Sequence, residues 1–203
     1  MVYERLQETE KAIACYSHSV QLDSTNVEAY KTLAQLYDRQ ENYAKAEKYY
    51  RCALLLQPDN LELRYNLGVV LYEQKKFDKA VSCFQKIIQA KPQDSIAHLH
   101  LGISYKEQKL LTKAKSCFEK AIKLDPDYAM AYYNLGVVYS RQPNSKRAID
   151  CFRQALRCDP NHQLSYTALL FTLSSVEEIS SEEIYDVSSQ WYRSKSSPIA
   201  QAQ

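Results

Sequence analysis

Glycine is nearly missing from this 203-residue chain, which holds three, and proline is scarce at six. So few turn formers exclude a many-stranded sheet, in which each hairpin needs its own permissive residues, and leave helices as the expectation. Long apolar runs are lacking too. Runs such as Ala53 to Leu56 fall far short of a membrane span, and the opening MVYERLQETEKA has no apolar signal region. Charge of one sign is also in short supply. With 26 Lys and Arg against 24 Asp and Glu, the net charge is +2, too weak a field to draw in nucleic acid or an anionic membrane. The sequence contains no C-x-x-C pair, no H-E-x-x-H, no phosphate loop and no nucleophile beside a base. No enzyme, metal site or cofactor is therefore expected of this chain. What remains, 45% hydrophobic and 25% charged, is the composition of a chain that buries a core, expected to be soluble and cytoplasmic.

The scarce residues keep a common beat. Pro58, Pro92, Pro126 and Pro160 recur every 34 residues, and Gly68, Gly102 and Gly136 each stand 24 residues before one of them. Ala34 fills the matching place upstream. A glycine inside a helix costs about 1 kcal/mol against alanine. Three in phase predict that the backbone of another helix comes too close for a larger side chain. Ala12, Ala46, Ala80, Ala114 and Ala148 form a second small row, followed four residues later by Tyr16, Tyr50, Phe84, Phe118 and Phe152 on the same helical face. Between the rows lie the polar stretches RQENY, EQKKF and KEQKL, where one helix stops and another starts. Each unit is a helical hairpin, and its proline, lacking an N–H, ends the second helix.

The pattern of large residue, Leu-Gly, Tyr, Ala, aromatic and Pro resembles the tetratricopeptide repeat (TPR) family. Residues 129–162 carry Tyr132, Leu135, Gly136, Tyr139, Ala148, Phe152 and Pro160, and residues 95–128 carry the counterparts from His98 to Pro126. Residues 27–60 and 61–94 depart only at Ala34, at Leu71 where tyrosine is usual, and at Arg64 where the large leading residue is usual. Residues 1–26 hold the second helix of a truncated repeat, with Ala12 and Tyr16 in register, and self-association through that raw end is expected. The resemblance implies an all-α, right-handed superhelix of antiparallel helix pairs.

After Pro160 the pattern fades. Tyr166 and Leu169 keep step, but Leu170 replaces glycine, Glu182 alanine and Asp186 the ring. Ser180 with Glu183 is a capping-box pattern, and Ile184, Val187 and Trp191 follow at helical spacing. Residues 163–193 are expected to be a degenerate repeat that caps the array, and residues 194–203 a flexible tail. The run from Leu169 to Leu173, with Glu183, Ile184, Tyr185 and Trp191, also resembles the junction that follows the repeats in SPINDLY-like and O-linked N-acetylglucosamine transferases. That likeness implies a substrate-selecting arm whose catalytic domain lies beyond residue 203.

Cys15, Cys83, Cys117 and Cys151 occupy one repeat position, with Tyr49 in the remaining repeat. Stacked repeats separate equivalent positions by roughly 10 Å, beyond the reach of a disulfide, so the six cysteines are expected to be free thiols. His98 and His100 are two apart and face different ways, which rules out an i, i+4 ligand pair.

The family lines a concave groove with the first helix of each hairpin, at positions 2, 5, 6, 9, 12 and 13. Counted from Val27, Leu61, Ser95 and Ala129, position 5 gives Lys31, Tyr65, Leu99 and Tyr133. Position 6 gives Thr32, Asn66, His100 and Asn134, and position 9 gives Gln35, Val69, Ile103 and Val137. The surface is apolar with amides, suited to an extended peptide whose backbone the amides hydrogen-bond. Asn66 and Asn134 match the transferases' asparagine ladder, while Thr32 and His100 interrupt it. A clamp for a C-terminal carboxylate, as in chaperone-binding members, is excluded because Gln35, Ile96 and His100 stand where Asn, Lys and Arg would be needed. RNA binding lacks its basic track. The expected function is a non-catalytic scaffold for a protein or peptide segment.

Overall fold

The computed structural model describes residues 2–142, 144–176 and 180–196, with side chains at 8–142, 144–176 and 180–194. Among the described residues there are eleven helices and no strand. They fall into two compact units that divide between Pro92 and Gln93. The first holds α1 (Val2–Leu22), α2 (Val27–Arg39), α3 (Tyr43–Leu56), α4 (Leu61–Glu73) and α5 (Phe77–Ala90). The second holds α6 (Ser95–Glu107), α7 (Leu111–Leu124), α8 (Ala129–Ser140), α9 (Ser145–Cys158), α10 (Gln163–Ser174) and α11 (Ser181–Ser196). Within each unit every helix packs on the next, and the short turns make consecutive helices antiparallel. In the second unit α8 also touches α6 and α10, so first helices stand side by side. This is the α-α repeat architecture that the 34-residue period predicts.

Local chemistry sets the helix ends. Asn26, Asn60 and Asp94 accept the N–H groups of Ala29, Leu63 and Ala97 at 3.0, 3.1 and 2.8 Å, each pairing one of the orphan donors of a first helix. At the far end of the hairpin Gln57, Lys91, Asp125 and Asp159, each directly before a repeat proline, have left the helical region, at φ −129°, −134°, −138° and −136°. The proline ring forbids helical geometry there, so the second helix stops. The turn inside the hairpin falls in the polar stretches that the sequence marks, but its left-handed geometry was not legible there. Glu41, Lys75 and Lys109 sit in the left-handed region at φ 56°, 59° and 62°. The N–H groups of Asn42, Lys76 and Leu110 donate back to the carbonyls of Tyr37, Leu71 and Tyr105 at 2.8, 2.9 and 2.9 Å, the closure of a Schellman cap.

The core follows the two small rows. Ala46, Ala80, Ala114 and Ala148 have no exposed surface, and Tyr50, Phe84, Phe118 and Phe152 are at most 1% exposed. Each buried ring contributes about 2 to 3 kcal/mol, and Phe118→Ala would remove about 3 to 5 kcal/mol. What restricts the glycines differs from the expectation. A Cβ on Gly68 would lie 2.8 Å from Cζ of Phe84, and on Gly102 and Gly136 2.6 Å from Cε1 of Phe118 and Phe152. The ring of the same hairpin, and not a helix backbone, occupies the space.

At the C-terminal end the Ser180 hydroxyl accepts the Glu183 N–H at 3.2 Å. The Glu183 carboxylate reaches Arg153 of α9 instead of turning back to close the capping box. Trp191 Nε1 donates to Gln163 Oε1 at 2.7 Å, Val187 is buried, and α11 rests on α10. The helix continues through Ser196 into the segment expected to be a tail, and residues 197–203 lie outside the described residues.

Candidate functional site

The residues at repeat positions 5, 6 and 9 divide between the two units. In the first unit α2 carries Lys31, Thr32 and Gln35, and α4 carries Tyr65, Asn66 and Val69, all half-buried. The Lys31 ammonium pairs with Glu62 at 2.8 Å, and that bond holds it above the usual lysine range. Tyr65 stands edge-on to Phe84 with ring centres 6.0 Å apart, which fixes the phenol without covering it. The Asn66 amide makes no hydrogen bond among the described residues.

In the second unit α6 carries Leu99, His100 and Ile103, and α8 carries Tyr133, Asn134 and Val137. Ile103, Tyr133 and Val137 are half-buried, as is His100, whereas Leu99 is 3% exposed. Burial lowers the pKa of His100 below the ordinary histidine value, which disfavours its charged form. Tyr133 packs between Phe152, 6.0 Å away, and His162, 5.3 Å away and edge-on. His162 shares a hydrogen bond with Ser165 Oγ at 2.7 Å, and burial lowers its pKa too. This face therefore presents rings, aliphatic side chains and imidazoles whose charged form burial disfavours.

Asn134 departs from the role given it by sequence. It is 3% exposed; Nδ2 donates to the Met130 carbonyl at 2.9 Å, and Oδ1 accepts from Lys106 Nζ at 2.9 Å. The amide is committed within the protein, and it orients Lys106, whose pKa is lowered by burial in spite of Glu107 3.7 Å away. Lys106 and His162, which touch Asn134 and Tyr133, are the neighbours of this face that reading positions 5, 6 and 9 missed. Lys106 did carry a signal, because it occupies position 12 counted from Ser95.

All six cysteines are free thiols. Burial pushes Cys117 and Cys151 up to about 11 and raises Cys83 as well, so these thiols stay protonated and poorly nucleophilic at neutral pH. Among the described residues no three His, Cys, Asp or Glu side chains converge as metal ligands, and no helix is long and apolar enough to cross a membrane.

Tetratricopeptide repeat family models match residues 1–26, 31–95 and 93–161. Among solved structures the chain is similar to YrrB, described as a TPR protein with an unusual peptide-binding site, at 29% identity, TM-score 0.69, covering 82% of this chain and 86% of YrrB. It is also similar in fold to MamA, from residue 41 to its end, of Desulfovibrio magneticus RS-1, at 22% identity and TM-score 0.73 over 84% of this chain and 97% of that one. A third similar fold is PilW, a widely conserved type IV pilus biogenesis factor, at 20% identity and TM-score 0.77 over 100% of this chain and 93% of PilW. No curated protein matches.

Proposed function

The chain belongs to the tetratricopeptide repeat family, and from that premise we propose that it is a non-catalytic scaffold whose first-helix faces bind an extended segment of a partner protein. The observation that carries this reading is the face of α6 and α8. Ile103, Tyr133 and Val137 are half-buried, and the Tyr133 ring packs against Phe152 and His162. Such a face offers apolar contact area at little desolvation cost. Lys106, held by Asn134, supplies the donor that a peptide carbonyl requires. In the first unit Tyr65, Asn66 and Val69 supply the same combination, with the Asn66 amide as the polar group. The description of YrrB as carrying a peptide-binding site supports the reading. So do the free thiols, which suit a cytoplasmic, reducing setting. No observation favours the alternative, a substrate-selecting arm of a SPINDLY-like transferase.

The test begins with peptides selected from a random library on the full chain. Ile103→Asp with Val137→Asp should weaken them at least about tenfold, a change of 1.4 kcal/mol or more, and raising salt should change affinity little because the face carries few charges. Selected peptides that bind the double variant unchanged would show that this face is not the site.

A further inference from the structure

In three of the four hairpins a cation lies over the tyrosine at position 11. Lys45 stands 4.7 Å from the ring centre of Tyr37, Lys113 5.4 Å from Tyr105, and Arg147 5.7 Å from Tyr139. Lys115 of α7 adds a second cation 5.3 Å from Tyr139. That ring thereby fills the space between the second helices α7 and α9 over α8. The hairpin of residues 61–94 has Leu71 in the ring's place, with Lys79 in the register of the cation. A cleft of about 870 Å³ opens there, between α3 and α5 and floored by α4.

Leu54, Leu67, Leu71 and Cys83 line its apolar interior, and Leu55, 80% exposed, stands at the rim. The charged part of the lining is mostly basic: Arg51, Arg64, Lys79 and Lys86 against Glu47 and Asp78. The Glu47 carboxylate is already neutralised, by Lys76 at 2.7 Å and Arg51 at 2.9 Å. Arg64, the other departure from the repeat pattern, brings its guanidinium to the Pro58 carbonyl at the cleft's end. Residues 64, 67 and 71, three and four apart, share one face of α4, while Tyr65, Asn66 and Val69 lie on another. The cleft is thus separate from the peptide-binding face.

We propose that this cleft is a second docking site and that it takes an amphipathic helix of a partner protein, with leucine-sized side chains on one face and carboxylates beside them. A helix is favoured over a strand because the cleft walls are helices. Their backbone groups are bonded internally and offer an extended chain no ladder. A rod laid between α3 and α5 needs only side-chain contacts, and its carboxylates complement Arg64, Lys79 and Lys86.

The probe is a labelled synthetic helix of about four turns, with leucines on one face and flanking glutamates, titrated into the full chain by fluorescence anisotropy. Its twin has lysines in place of the glutamates. The glutamate peptide should bind, weaken as salt rises, and bind at least about tenfold more tightly than the lysine peptide. Leu71→Tyr restores the family's ring, and should abolish binding while the melting temperature holds. Lys79→Glu with Lys86→Glu alters exposed positions only and should reverse the preference between the peptides. Equal binding of the two peptides, no binding of either, or an unchanged preference in the charge-reversed variant would overturn the proposal. So would association of the protein with itself that the charge-reversed variant abolishes, since the cleft would then belong to a second copy.

Discussion

Phe84 leaves no room for a side chain at Gly68, where a Cβ would lie 2.8 Å from Cζ and 2.9 Å from Cε1 of the ring. The ring has no exposed surface of its own to retreat into. Gly68→Ala should therefore destabilise the fold, although alanine is the better helix former by about 1 kcal/mol. Overpacking costs about 1 to 3 kcal/mol, which leaves a net loss of about 1 kcal/mol. Gly102→Ala and Gly136→Ala meet their rings at 2.6 Å and should lose more. Chemical denaturation of the three variants checks the order, and a gain in stability at Gly102 would sink the packing argument.

At the hairpin turns the opposite exchange should help. Glu41, Lys75 and Lys109 hold φ between 56° and 62°, a conformation glycine adopts without the Cβ penalty of about 1 to 2 kcal/mol. Glycine's freedom in the unfolded chain offsets about 0.4 to 1 kcal/mol of that. Lys75→Gly should raise stability by about 0.5 kcal/mol, while Lys75→Ala should not. Thermal melts of the pair decide it.

Glu47 gives the fold a pH dependence. Burial works against its ionisation, yet hydrogen bonds from Lys76, Arg51 and Gln74 prevail and lower its pKa from 4.5 to about 2. A carboxylate depressed in the folded state stabilises above its unfolded pKa, and that contribution fades as pH falls from about 4.5 towards 2. Glu47→Gln should cost about 2 kcal/mol at pH 7, the scale of hydrogen bonds to a charged group. The deficit should shrink below pH 4. A deficit that stays constant with pH would show that the charge is not what matters.

Asn66 and Asn134 hold the same repeat position and should respond differently. Asn134→Ala strips Lys106 and the Met130 carbonyl of partners in a buried setting, at about 1 to 3 kcal/mol. Asn66→Ala should leave the melting temperature nearly unchanged and act only on ligand binding.

Trp191 ties α11 to α10 through Gln163. Trp191→Ala should cost about 2 kcal/mol in buried area and the lost bond. The native indole should emit at shorter wavelength than a solvated one. Emission typical of free tryptophan would mean that α11 does not dock.

The sequence by itself determined the hairpins, because glycine, alanine, ring and proline each act through a local constraint that a 34-residue period exposes. Pro58, Pro92, Pro126 and Pro160 stop helices wherever they stand, and no distant contact is needed to read them. The residues of the first-helix faces were legible as positions, since helical periodicity says which way a side chain leaves the axis. What they do there was decided by tertiary structure. Asn134 meets Lys106, 28 residues away, only once α6 and α8 pack, so its amide could not be known to be spoken for. The left-handed turns at Glu41, Lys75 and Lys109 left no trace in sequence, because surface lysine and glutamate fit any turn and the strain is imposed by closing the hairpin. Leu71 was visible as a departure from tyrosine, but the cleft it opens depends on what stands over it, and only packing brings α3, α4 and α5 around that one missing ring.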